Sequence, residues 1–201
     1  QIPLDVEEIG CDILSATARK YLRGPRGVGF LFVRQSRIAG LHPPMIDLLS
    51  ARWTGIDDYE LQPTALRFEN WENNYAAKIG MGVAIDYALD IGLEAIQARV
   101  QTLAETLRSR LSALPGVTVQ DIGREKCGIV TFSAEALAAE EICRRLRARN
   151  INSSFSTPSS TLIDATRRRL PDVVRSSVHY FNDEAEIDRL IAALEEFLPQ
   201  G

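Results

Sequence analysis

Seven apolar residues, Leu93, Ile96, Val100, Leu103, Leu107, Leu111 and Leu114, recur at steps of three and four. That period is one face of an α-helix. It predicts a long amphipathic helix over 93–114 and requires a core to bury its stripe. Pro115-Gly116 ends it. A second helix is predicted over 75–91, separated from the first by Gly92.

The regions on either side predict strands. The run 11–16 reads as one. The run 28–33, Val-Gly-Phe-Leu-Phe-Val, reads as another and is nearly all apolar, which predicts burial on both faces of a sheet covered by helices. Between them, Gly24-Pro25-Arg26-Gly27 is a loop. Residues 34–74 show little periodicity and read as a long connection, of the kind that is usually functional. Beyond the long helix, strands are predicted over 117–121, 128–133, 152–156 and 173–181, with a helix over 138–149. A last helix opens at Asp183, where Glu186 three residues on makes a capping-box pair. The fold class is therefore α/β. Residues 1–92 form the end of one domain, 93–116 a connecting helix, and 117–201 a small α+β domain.

Composition limits the function. The chain is 45% hydrophobic and 25% charged, which is globular usage. No apolar run approaches the ~20 residues of a membrane span, so no membrane partner is expected. With 23 basic and 27 acidic residues the net charge is −4, which argues against general nucleic-acid binding. Three cysteines, Cys11, Cys127 and Cys143, are an odd number at wide spacing. They predict reduced thiols in a cytoplasmic protein, not a disulfide framework or a metal site.

Lysine is rare: only Lys20, Lys78 and Lys126 occur. Lys20 lies between a strand and a glycine loop, within Thr17-Ala18-Arg19-Lys20-Tyr21-Leu22-Arg23-Gly24-Pro25-Arg26-Gly27-Val28-Gly29. Neighbouring cations and desolvation both favour a neutral amine, which Schiff-base chemistry needs. The same arginines and backbone N–H groups could instead hold a phosphate. The Gly spacing is neither the dinucleotide-binding nor the P-loop pattern.

This segment looks like the lysine segment of the class V aminotransferase family of fold-type I pyridoxal-phosphate (PLP) enzymes. Three further stretches resemble that family in order: Gln1 to Asp12 leading to the lysine, Arg67-Phe68-Glu69-Asn70-Trp71-Glu72 before the first long helix, and Val174-Arg175-Ser176-Ser177-Val178-His179-Tyr180-Phe181-Asn182 near the end. The likeness is nearest to the branch of ergothioneine-type C–S lyases, selenocysteine lyases and isopenicillin N epimerase-like proteins.

The resemblance implies the C-terminal half of such an enzyme: the end of the large domain, a connecting helix and a small α+β domain. It implies PLP as cofactor, Lys20 as the Schiff-base lysine, Thr17 and Arg19 beside it at the cofactor, and Arg175 as the guanidinium that takes the substrate α-carboxylate. His179, two and four residues beyond Ser177 and Arg175 on the predicted strand, is expected on their face, either touching substrate or packed. An amino-acid substrate and a homodimer, with 34–74 near the interface, are implied too.

Three departures matter. Glu72 stands where many relatives have a neutral residue that reaches cofactor phosphate, so it is expected either to do something else or to have a surface role or a salt bridge. Residues 153–171 contain five serines and no cysteine, where cysteine desulfurases of the family carry a catalytic cysteine. A persulfide-forming desulfurase is therefore disfavoured, and a C–S β-lyase is expected ahead of an aminotransferase or an epimerase. Third, the family's other cofactor contacts lie upstream of its lysine, so the chain is expected to be part of a protein about twice as long and inactive alone. A non-catalytic relative acting as an interaction module is the reading from a different class.

Overall fold

The computed structural model describes residues 1–199. The chain divides into two compact units, Pro3–Gly92 and a second made of Gln1–Ile2 with Leu93–Gly201.

The first unit opens with α1 (Val6–Ile9), whose N-terminus is capped by Asp5 Oδ1 accepting from Glu7 N at 2.7 Å. Strands β1 (Ile13–Thr17) and β2 (Gly29–Val33) form an antiparallel ribbon, Ile13 opposite Val33 and Thr17 opposite Gly29. Gly29 is required there, because a Cβ would lie 2.1 Å from Ala16 O. The burial expected of β2 is not found. Phe30 and Leu31, which point to opposite faces, are 50% and 44% exposed. The physical reason is that β2 pairs only with β1 among the described residues, and an apolar run reports a demand for cover without supplying it.

The stretch read as a connection carries structure of its own. It holds α2 (Gln35–Ile38), a hairpin of β3 (Ala51–Trp53) and β4 (Tyr59–Leu61), and a 3₁₀ turn at Ala65–Phe68. Arg67 organises it: the buried guanidinium donates to the carbonyls of Gln62 (2.7 Å), Ile38 (2.8 Å) and Leu41 (3.1 Å). Helix α3 (Tyr75–Ile91) follows, capped by Asn74 and ended at Gly92. It runs over the predicted residues.

The second unit begins with α4 (Leu93–Ser112) and continues through β5 (Val117–Val119), β6 (Ile129–Ala134), α5 (Ala139–Ala148), β7 (Ser154–Ser156), a 3₁₀ turn at Pro158–Thr161, α6 (Leu162–Arg168), β8 (Val173–Ser177) and α7 (Glu184–Phe197). The four strands form one antiparallel sheet in the order β5-β6-β8-β7. Its core joins Leu103, Leu107 and Leu111 of α4 to Phe132 and Val174 of the sheet and to Ile142, Leu146 and Leu194, all fully buried. The stripe predicted on α4 is thus the side that packs. The capping box at Asp183 and Glu186 forms on α7.

Several boundaries differ from the sequence reading, and one helix is new. Strand β5 stops at Val119 because Asp121 turns inward to an ion pair. Strand β8 stops at Ser177, where Asn182 folds the chain back: His179 N donates to Asn182 Oδ1 at 2.7 Å and Asn182 N to His179 O at 3.0 Å. Helix α6 lies in a stretch whose serine content masked it. Among the described residues no helix is long and apolar enough to cross a membrane.

Candidate active site

In the first unit the chain leaves β1 at Thr17 and makes a closed turn before β2. Ala18 N donates to Val28 O (3.0 Å), Gly24 N to Ala18 O (2.9 Å) and Arg23 N to Lys20 O (2.9 Å). Ala18 is buried beneath this turn, and Gly24 lies so close that a Cβ would stand 2.9 Å from the Ala18 Cβ. Arg23, with φ of 59°, places its guanidinium 5.2 Å from the centre of the Tyr87 ring on α3. The turn is therefore held at both ends by backbone bonds and on one side by a helix.

Thr17, Arg19 and Lys20 all sit on this turn and are exposed. The desolvation expected around Lys20 is thus not supplied by its own unit. Lys78 is paired with Glu69 at 2.7 Å, whereas Lys20, Arg19 and Arg26 have no ion-pair partner among the described residues. Three unspent cations on one rigid turn suit a ligand that carries both a carbonyl and an anionic group.

In the second unit Arg175 occupies the middle of β8. It stands opposite Thr131 on β6 and Ser154 on β7, and its Nε donates to Ser177 Oγ at 3.3 Å. No carboxylate pairs with it among the described residues. A guanidinium among neutral hydroxyls keeps its charge available for an incoming carboxylate. His179 departs from expectation. It lies beyond the end of β8, so strand alternation does not set its face. Its ring stacks on Phe181 (centroids 4.4 Å apart) and tilts against Tyr180 (4.3 Å).

Residues 153–171 are ordered by β7, the 3₁₀ turn and α6, and Arg168 Nη2 of α6 donates to Gln120 O at 2.5 Å. No thiol lies in this segment. Cys143, on α5, is buried, and burial pushes its thiol up from the ordinary value. Glu72 is exposed and makes no ion pair among the described residues.

Sequence reasoning missed two buried arginines. Arg108 donates from Nε to Asp121 Oδ2 at 2.8 Å, and the two side chains are 7% and 10% exposed. The signal was present: Arg108 sits four residues after Ala104 and three before Leu111, on the buried side of α4. Arg67 was noticed only for its resemblance, and nothing local announces its three carbonyl partners.

The class V aminotransferase family model matches residues 1–190, and the chain belongs to that family. A probable cysteine desulfurase of Halalkalibacterium halodurans is 29% identical over 197 residues, covering 96% of this chain and 47% of the relative. The apo structure of a cysteine desulfurase from Thermococcus onnurineus superposes with a TM-score of 0.88 at 24% identity, covering 96% of this chain and 48% of that one. The cystine C–S lyase C-DES, in complex with its product cysteine persulfide, superposes with a TM-score of 0.81 at 24% identity, covering 98% of this chain and 49% of that one. The chain thus spans about half the length of the relatives it matches, and the two structural likenesses carry the α/β fold.

Proposed function

We propose that this chain is the lysine-bearing portion of a PLP-dependent enzyme that cleaves a C–S bond in an amino acid by β-elimination, without a persulfide on the protein. Within it, 1–92 belong to the cofactor-binding domain, 93–116 connect, and 117–201 form the small domain. The observation that carries the reading is the pairing of an unpartnered Lys20 on a rigid turn with a segment, 153–171, that is folded and holds no cysteine.

The residues present fit the cofactor. Lys20 Nζ is the amine that would hold its aldehyde carbon, with Arg19 and Thr17 on the same turn near its anionic end. Bound PLP supplies an electron sink for the electrons released at the substrate Cα. Lys20 Nζ would also serve as the base for the substrate Cα proton. Arg175 fixes the substrate α-carboxylate through its fork. The departing sulfur leaves with the product, because a serine hydroxyl is far too weak a nucleophile to accept it as a thiolate does. His179 steadies the end of β8 through its ring stack and acts on substrate only through that position.

The first unit's surface supports the homodimer in this reading. Tyr75, Ile79 and Val83 share a face of α3 at 62%, 71% and 64% exposure, and Trp53 and Ile56 are 75% and 91% exposed. Apolar surface of that kind is covered in a working protein.

The test is chemical. PLP is added to the gene product carrying this sequence, the visible band is recorded, borohydride is added, and the modified peptide is mapped by mass. A phosphopyridoxyl group on Lys20 is expected, with loss of the band in Lys20→Ala. Turnover of L-cystine to pyruvate with no persulfide retained on the protein completes the case. An unmodified Lys20 overturns the reading.

A further inference from the structure

A cavity of about 430 Å³ opens in the second unit between α4, the stretch joining β5 to β6, and the end of α6. Its size is that of a small-molecule site. Arg108 and Asp121 line it, and their hydrogen bonds can be counted. Arg108 Nε donates to Asp121 Oδ2, and Nη2 donates to Cys127 O (2.6 Å) and Ile129 O (3.2 Å). Asp121 Oδ1 accepts from Thr131 N and Thr131 Oγ1. A guanidinium has five N–H donors, so both donors of Nη1 remain unspent on a side chain 7% exposed.

Arg108 lines the cavity, so an acceptor on a ligand there can take these donors. Gln97 and Gln101, one turn apart on α4, also line the cavity with side-chain amides that make no hydrogen bond among the described residues. Each amide offers a donor and an acceptor. Arg108 and Asp121 neutralise each other. Arg168 is paired with Asp164 at 3.1 Å and Lys126 balances Glu125, so the lining carries no net charge. Asp121 and Glu125 disfavour a dianion there.

We infer that this cavity binds a small monocarboxylate bearing its own hydroxyl or amino group. The carboxylate accepts from Arg108 Nη1, and the hydroxyl or amine meets the amides of Gln97 and Gln101. The site does not depend on Lys20 or on the reaction proposed above.

The probe is sodium L-lactate, titrated into the ¹⁵N-labelled protein and followed by NMR, with sodium chloride at equal ionic strength as the control. Saturable shifts are expected at the side-chain amides of Gln97 and Gln101 and at Arg108 Nε, absent with chloride and unchanged in Lys20→Ala. Gln101→Phe fills the cavity mouth while leaving the Arg108–Asp121 pair in place, and should weaken binding at least tenfold. Shifts that rise linearly with lactate, that chloride reproduces, or that persist at full strength in Gln101→Phe would overturn the site.

Discussion

Gly80 on α3 meets Pro25 in the loop that follows Lys20: a Cβ at position 80 would stand 2.8 Å from Pro25 Cγ. Helix and lysine loop therefore touch through the absence of a side chain. At Gly82, two positions further along the same helix, a Cβ would meet nothing within 4 Å.

The two glycines give opposite results when replaced by alanine. At Gly82 alanine gains helix propensity alone and should stabilise by up to about 1 kcal/mol. At Gly80 the same gain is opposed by overpacking against a rigid ring, which costs roughly 1–3 kcal/mol. The net effect should be destabilising. Urea unfolding of both variants measures the difference. Equal stabilisation of the two would show that the Gly80–Pro25 approach carries no constraint.

The Arg108–Asp121 pair is buried, so removing one partner leaves an uncompensated charge. Asp121→Asn or Arg108→Met should cost about 3–5 kcal/mol. The double variant should lose less than the sum of the two. A double-mutant cycle by urea denaturation reads the coupling directly.

Arg67 holds three carbonyls from distant positions of 34–74. Arg67→Met leaves at least one buried acceptor unsatisfied, at a cost of about 1–3 kcal/mol. The loss should be local, so limited proteolysis should show new cleavage between residues 38 and 62 before global unfolding changes.

Glu141 has its carboxyl lowered to about 2, chiefly by the hydrogen bond from Arg144 and then by that from Arg145. The folded value lies below the unfolded one. Its contribution to stability is therefore complete above the ordinary carboxylate range and disappears as pH falls through about 2. Side-chain NMR titration should place its midpoint near that value, and Arg144→Gln should move the midpoint up. A midpoint indifferent to Arg144 would contradict the assignment.

Much of the fold is local and could be read. The stripe on α4, the break at Gly92 and the capping box at Asp183 each depend on residues within two turns of one another. So does the turn around Lys20, whose glycines and cations announce a constrained loop. The misses share a cause. Strand β8 ends at Ser177 because Asn182 captures His179 N, and no periodicity in 173–181 shows that. The partners of Arg67 and Arg108 lie up to 29 residues away, beyond the reach of any local pattern. The apolar run of β2 stated correctly that it wants cover, but which chain provides it is not written in the run.

The sequence by itself determined the two long helices and the capped start of the last one, that one lysine stands apart on a glycine loop, and that the segment before Arg175 lacks a thiol. These are statements about composition and near neighbours, and short-range sterics and hydrogen bonding enforce them. Only the tertiary structure decided that Arg175 sits among hydroxyls with its charge unspent, that His179 is stacked and not aligned with it, and that Arg108 is buried with two donors left over. Each of those depends on strands and helices far apart in the chain arriving at one place, where packing, not local preference, selects the partner.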